Sequence, residues 1–387
     1  MSSSFLARSS SSSSRHHLTP RSLLRLYSTN PPADPSKPSI KLIAELRKHA
    51  PVSLPLAREA LAASNLSIPA ALQWLATRSS KKADKVAGRA TNDGLVGVWT
   101  VSRGANARMR SAPVWAGMVE MACETDFVGR SEVFGKCLAE VAHSAAFHSE
   151  VLLQKQRVKD GDALVRELPV DQLLDAPLIT PPIFGLTLRK TNTSVGDAIR
   201  HLMGTVGENI TLRRASAVRK DTPTRKDLGL RLGTYGHGGT FNVFPQHFVS
   251  GRVASMAVLA VKAPLTEEEA KVFGGAKSPL DLGGKSVGDW FRKEDGFEAK
   301  LEELESAIAR QVAGFPVTGI REGGEEGALY EQQFIMYPHS EGANVKDVLA
   351  KWAETHGLAK AEGGASGGLE VVEFLKWSVG GEAVVGK

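Results

Sequence analysis

The decapeptide Val119-Glu120-Met121-Ala122-Cys123-Glu124-Thr125-Asp126-Phe127-Val128 leaves the chain few choices. It opens as a short apolar strand, breaks at Glu124-Thr125-Asp126, and passes at once into a helix of roughly twenty residues. Val133, Phe134, Cys137, Leu138, Val141 and Ala145 recur at steps of three and four, which is helical spacing. Thr125 and Asp126 are residue types whose side-chain oxygens cap the first free amides of a helix. Phe127 therefore sits at a strand-to-helix corner. Two readings fit: Asp126 is an ordinary cap and Phe127 a staple into the core, or the corner presents the ring outward.

The N-terminus carries a different signal. Residues 1–28 hold Arg8, Arg15, Arg21 and Arg25, eleven serines and no acidic residue; the first carboxylate is Asp34. A basic, serine-rich, acid-free start is the composition of an organelle transit peptide. Arg21-Ser22-Leu23-Leu24-Arg25-Leu26-Tyr27 places arginines and leucines on opposite faces of a turn or two of helix, with a mitochondrial-type cut expected just before Ser28. The segment has no apolar core for a secretory signal and no run able to span a bilayer. Without its four arginines the formal charge falls from +6 to +2. The basic balance thus belongs largely to the address label. With no aromatic-and-basic stacking platform in the remainder, no nucleic-acid or membrane partner is expected.

After a proline-rich lead-in at 29–38, three short helices are expected at 40–49, 55–64 and 68–78, capped first by Ser39 and with Pro55 in a first turn. They make residues 39–80 a mini-bundle of the ubiquitin-associated kind. A charged linker, Lys81 to Arg89, leads to two alternating stretches, 95–101 and 114–123, which read as an antiparallel pair around an arginine-rich loop (Arg103, Arg108, Arg110). Residues 148–192 read as irregular, 195–206 as a helix and 210–218 as a strand. The remainder repeats this grammar: strands at 230–235 and 253–261, the longest helix at 297–312, a short helix at 345–352 and a last strand at 369–379. Strands interleaved with helices, without regular βαβ alternation, argue for an α+β fold. The expected layout is two related subdomains, 81–220 and 221–387, each a small antiparallel sheet covered by helices.

The search for chemistry is mostly negative. Gly283-Gly284-Lys285-Ser286 lacks the earlier glycine of a phosphate-binding loop, where Pro279 stands instead. No HExxH or GxSxG pattern occurs. Cys123 and Cys137 have no CxxC spacing and read as core residues. No cofactor and no metal site is expected, and a binding or regulatory protein is favoured over an enzyme.

The order of features resembles elongation factor Ts in its mitochondrial form. Leu42-Ile43-Ala44-Glu45-Leu46-Arg47 is similar to the start of that family's helical module, and Lys85, Arg89, Ala90 and Gly94 match its linker. Residues 120–128 resemble its most diagnostic signature. Gly207-Glu208-Asn209-Ile210-Thr211-Leu212-Arg213-Arg214 matches a second, and Tyr235-Gly236-His237-Gly238 matches its Tyr-x-His-Gly. Departures exist. Ser53-Leu54-Pro55-Leu56-Ala57-Arg58 replaces a Gly-Met-x-Asp-Cys-Lys turn, and 148–192 and 240–251 look like insertions. Between Phe315 and Glu331 there is room only for a short loop where bacterial members carry a dimerising hairpin, and no counterpart of their C-terminal helical module is expected.

The resemblance implies a guanine-nucleotide exchange factor of the mitochondrial matrix, acting on mitochondrial elongation factor Tu in a one-to-one complex, without covalent catalysis or homodimerisation. It implies that Phe127 wedges between helices of the GTPase beside the magnesium site and that Asp126 brings a disturbing negative charge. Thr125 and Val128 flank them at the contact; Tyr235 and His237 would touch the partner from the second subdomain. Arg213 and Arg214 fit either a surface contact or an internal salt bridge. A ubiquitin-associated-like adaptor built on 39–78 and an unrecognised matrix enzyme are the other readings.

Overall fold

A computed structural model describes residues 37–50, 52–108, 112–154, 163–181, 189–221, 227–239, 241, 244–264, 287–293, 296–321, 327–359 and 367–387. The expected transit segment, Arg110 and the Gly283–Ser286 run lie outside them. The chain divides into two compact units, one up to Trp74 and one from Leu75.

In the first unit, α1 (Ile40–His49) and α2 (Leu54–Ala63) begin as the residue types dictate. The Ser39 hydroxyl accepts the Leu42 amide and the Ser53 hydroxyl that of Leu56, with Pro55 in the first turn. Ile43, Leu46, Ala57, Ala60, Leu61 and Ala71 are buried. Helix α3 (Ile68–Val86) starts in this unit and runs on through the charged segment expected as a linker.

The second unit is built on one sheet. Its strands are β1 (Asp93–Arg103), β2 (Val114–Cys123), β3 (Val165–Leu168), β6 (Ile210–Lys220), β7 (Leu228–Gly238), β8 (Phe248–Lys262), β9 (Gly368–Ser378) and β10 (Ala383–Gly386). The order is β10-β9-β8-β1-β2-β6-β3, with β7 also paired to β8. A separate pair joins β4 (Pro177–Thr180) to β5 (Arg189–Ser194). All pairings are antiparallel. The expectation of two small sheets is corrected here. Strand β8 is 15 residues long; its start, Phe248 to Gly251, pairs with β1, while the rest pairs with β7 and β9. One strand long enough to serve both halves fuses what the sequence pattern presents as two.

Alternation along these strands feeds three cores. Val96 and Val98 of β1, Met118 of β2, Leu230 and Leu232 of β7, Met256 and Val258 of β8, and Trp377 of β9 form one inner cluster, so the sheet curls around a core of its own. On the outer face of the first half, Trp99, Met121 and Cys123 meet Phe134, Leu138 and Val141 of α5 (Glu132–Gln154), as well as α7 (Val195–Val206). On the outer face of the second half, Ala257, Leu259 and Val261 meet Leu301, Leu304 and Ile308 of α9 (Phe297–Gly314), together with α8 (Val287–Lys293) and α10 (Val345–Thr355). The longest helix among the described residues is α5, not the expected 297–312 segment.

The two covering helices reach the sheet by the same device. A Cβ at Gly117 of β2 would lie 2.5 Å from the Ala146 nitrogen of α5, and one at Gly233 of β7 would lie 2.2 Å from the Glu305 carbonyl oxygen of α9. Only a bare backbone lets either helix sit so close. Each contact carries a side-chain bond to an alanine carbonyl: Trp115 Nε1 donates to Ala146 at 2.7 Å, and Ser255 Oγ donates to Ala309 at 2.6 Å.

The second half adds a buried ion pair. Arg231 of β7 faces α9 with 1% exposure and meets fully buried Glu305 at 2.6 and 3.2 Å, while Nη1 donates to the Ala105 carbonyl at 2.6 Å. Glu298 and Glu302, on the same face of α9, lie 3.8 and 3.7 Å away. In the first half the covering helix α5 buries the ring of His143. Its Nδ1 lies 2.7 Å from the Ile179 carbonyl of β4, and its ring packs edge-on against Trp99 with centroids 4.8 Å apart. Beside it, Ser144 Oγ accepts the Ile179 amide at 2.9 Å. The segment 148–192, read as irregular, is thus part of the fold: α5 runs to Gln154, then come β3, α6 (Val170–Asp175) and the β4–β5 pair. Four-residue strands are too short to show a period.

Two consequences are measurable. Glu305→Ala leaves a buried guanidinium without its partner, and urea titration should show a loss of about 3–5 kcal/mol. The paired change Arg231→Met with Glu305→Leu should recover most of it, because no charge is then stranded. The second concerns acid. Burial pushes His143 down from its ordinary value to about 4. Its neutral ring therefore contributes stability that is complete above about pH 6.5 and fades as pH falls toward 4, by at most about 3 kcal/mol. A His143→Gln variant should show a flatter stability profile across that window.

Candidate functional site

The corner after β2 is formed by local hydrogen bonding. Thr125 has extended backbone angles and caps the next turn, its Oγ1 accepting the Val128 amide at 3.4 Å. That turn, α4 (Asp126–Gly129), is only four residues long. The single helix of twenty residues is corrected: the chain breaks at Arg130-Ser131 and restarts as α5, with Ser131 Oγ donating to the Val128 carbonyl at 2.7 Å and accepting the Phe134 amide at 3.3 Å. The cap is Thr125; Asp126 is instead the first helical residue, its carboxylate 3.2 Å from Arg130 one turn on. Underneath, Cys123 donates its Sγ–H to the Thr125 carbonyl at 3.1 Å. Burial pushes that thiol up to about 12, so it stays a protonated donor.

The corner's side chains divide sharply. Val128 is half-buried and packs on the first-half outer core. Phe127 is 83% exposed. A phenylalanine left in water forgoes about 1.5–3 kcal/mol of burial free energy. It is not a staple.

What steadies this corner comes from a segment 83 residues away in sequence. Helix α7 ends at Gly207 in the left-handed region, and Glu208 and Asn209 follow. The Glu208 carboxylate accepts the Thr125 amide at 3.0 Å and the Thr125 hydroxyl at 2.6 Å. Asn209 donates its amide to Glu124 at 2.6 Å and its side-chain nitrogen to the Arg89 carbonyl at 2.6 Å, while the Arg89 guanidinium lies 3.6 Å from Glu124. The sequence pattern singles out the 207–214 segment without giving Glu208, Asn209 or Arg89 a task. Only their placement beside the corner reveals one.

One turn of strand below, Glu120 is 1% exposed and points to the inner side of the sheet. It meets Arg214 Nε at 2.6 Å and Arg213 Nη1 at 3.4 Å, and accepts the Gly380 amide at 2.9 Å. Arg214 also donates to the Ser378 carbonyl at 2.8 Å and stacks 4.4 Å over Trp377. Of the two readings of Arg213 and Arg214, the internal ion pair is the one observed.

Tyr235 and His237 stand on one face of β7, two residues apart. Tyr235 is half-buried and His237 exposed. The Tyr235 hydroxyl is 3.4 Å from His237 Nδ1, and the Arg310 guanidinium of α9 lies 5.3 Å over the tyrosine ring. Among the described residues no hydrogen bond or ion pair joins this pair to the Thr125–Val128 corner. Among the described residues no three His, Cys, Asp or Glu side chains gather as a metal ion would need, and no helix is long and apolar enough to cross a membrane. The arrangement presents one exposed aromatic ring on a braced corner and a polar-aromatic pair on another strand.

No family model matches the chain. Curated relatives do. A protein of Laccaria bicolor named mitochondrial elongation factor Ts is 39% identical over 363 residues, covering 92% of this chain and 95% of its own. The protein of that name from Coprinopsis cinerea is 40% identical over 372 residues, covering 93% and 96%. That of Cryptococcus neoformans is 33% identical over 373 residues, covering 91% and 89%.

Proposed function

The chain belongs to the mitochondrial elongation factor Ts family, and from that premise we propose that it promotes GDP release from mitochondrial elongation factor Tu through the Asp126–Phe127 corner. The protein is a guanine-nucleotide exchange factor of translation elongation in the mitochondrial matrix. The observation that carries the proposal for the corner is Phe127 itself: a large apolar ring held in solvent at the tip of a hydrogen-bonded turn. Folding gains nothing from that placement, whereas insertion between helices of a partner would bury the ring.

The work is conformational. Accelerating release 10⁴-fold needs about 5.5 kcal/mol of barrier lowering, more than one surface contact supplies. Phe127 acts as the apolar wedge, Asp126 brings negative charge toward the magnesium and phosphate arrangement, and Tyr235 with His237 gives a second point of contact. Thr125 shapes the turn and Val128 anchors it from beneath. Linkage sets the cycle: whatever factor the exchange factor takes from GDP affinity, GDP takes from its own affinity. The helices of the first unit form a module of the ubiquitin-associated kind, and the leading segment is an import signal cut near Ser28. The shared helix-on-glycine packing of α5 and α9 supports reading the two halves of the core as related.

Phe127→Ala should slow catalysed release of labelled GDP at least about tenfold while leaving the urea midpoint near wild type, since an exposed ring gives little to folding. Asp126→Ala loses an exposed pair with Arg130, worth under about 1 kcal/mol of stability, and should also impair exchange. Stopped-flow release and urea titration on the same preparations check both; a collapsed midpoint with undiminished exchange by the folded fraction would make Phe127 a core residue after all. A one-to-one complex without self-association is the second expectation, because a closed homodimer needs a self-complementary patch and the 315–331 connection is short. Light scattering should give a monomer mass alone and the sum of the two chains with the GTPase; a stable dimer at micromolar concentration would contradict it.

A further inference from the structure

We propose that Glu208 is the positioning residue of the exchange corner, holding Thr125 so that Phe127 is presented ready to insert. The inference rests on the reading of Phe127 as the wedge. A four-residue helix has little stability of its own, because a single turn fixes several dihedral angles for few hydrogen bonds. Phe127 lends no help, since its ring is 83% exposed. Val128 anchors the far end of the turn on the core, and its near end is set by the cap, Thr125. That residue is exposed, yet its backbone amide and its hydroxyl both end on the one carboxylate of Glu208.

The carboxylate is itself presented by a braced backbone. Gly207 terminates α7 immediately before it, and Asn209 immediately after it is tied to both Glu124 and the Arg89 carbonyl. Glu124 is the residue preceding Thr125, so the two segments grip each other at successive positions: Asn209 on Glu124, Glu208 on Thr125. Bonds on an exposed threonine add little to folding, because water replaces them readily. They do restrict how the corner moves. A ring already held in its docking direction surrenders less freedom on insertion than one that wanders, and preorganisation of that kind appears as faster and tighter engagement.

The test measures release of fluorescent GDP from mitochondrial elongation factor Tu by the full chain, alongside urea titration. The variants are Glu208→Ala, Glu208→Gln, Phe127→Ala and the double change of Glu208→Ala with Phe127→Ala. Glu208→Ala should slow catalysed release about tenfold with a nearly unchanged midpoint. Glu208→Gln, which keeps one acceptor oxygen for Thr125, should fall between it and wild type. In the Phe127→Ala background, removing Glu208 should cost nothing more, because a positioning residue has no effect once the group it positions is gone. An equal further loss in both backgrounds would make Glu208 a direct contact and overturn the proposal. Full activity of Glu208→Ala beside a crippled Phe127→Ala would sink the positioning role alone. Normal exchange by Phe127→Ala would remove the wedge reading and this inference with it. If Glu208→Ala does not fold, Glu208→Gln and Thr125→Val carry the comparison, and collapsed midpoints in those two as well would show a purely structural role.

Discussion

Glu120 is the point on which the core depends. It is a carboxylate with 1% exposure set in the middle of a sheet, and a charge in that position persists only if its oxygens are satisfied. They are satisfied from three directions: Arg213 and Arg214 of β6, and the Gly380 amide beyond the end of β9. Arg214 then passes the connection on to the Ser378 carbonyl and the Trp377 ring. A single acid therefore ties the strand that leads to the corner to the last long strand of the other half. Removing both arginines would leave the acid with only the Gly380 amide, so the two cations and the amide hold it together.

Above that node the energetics reverse. Toward the sheet the chain buries and pairs nearly everything; at the corner it leaves a phenylalanine in water and an aspartate paired only to a neighbouring exposed arginine. Such a tip is unfavourable in isolation and is tolerated because the base below it is over-determined. The bonds from Glu208 and Asn209 lie at the boundary between the two regimes. They transmit the rigidity of the sheet to a turn that has little of its own.

Much of this was legible in the residues. Serine and threonine caps, helical spacing in α5 and α9, and alternation in β1, β2 and β8 are local signals, and the elements appear close to where those signals place them. The corner was visible because Thr125-Asp126-Phe127 joins two such signals. What lay beyond reach was non-local or short. The fusion of two halves into one sheet depends on β8 pairing with three partners, and period-two alternation does not say with whom a strand pairs. Strands β3 and β4 are four residues long and β5, Arg189–Ser194, is polar throughout, so none carries an alternating pattern. The break at Arg130-Ser131 was hidden because helical rhythm resumes at once beyond it. Glu208 looked like any polar residue after a helix, since a grip across 83 positions leaves no mark on its own neighbours.

The bond from Gly380 to Glu120 spans 260 positions, and the pairing of β8 with β9 joins residues more than a hundred apart. A topology so dominated by distant pairings folds slowly, because loop closure must precede any reward from the contacts it brings. The β1–β2 hairpin closes over a far shorter loop than the one that brings β9 to β8, so it can pair before β9 closes the curl. Throughout that interval the inner faces of the first-half strands lack the cover that Leu375 and Trp377 later supply. Glu120 meanwhile has its arginines but not its amide. An intermediate with the first half formed and β9 still unpaired therefore has an unfinished interior.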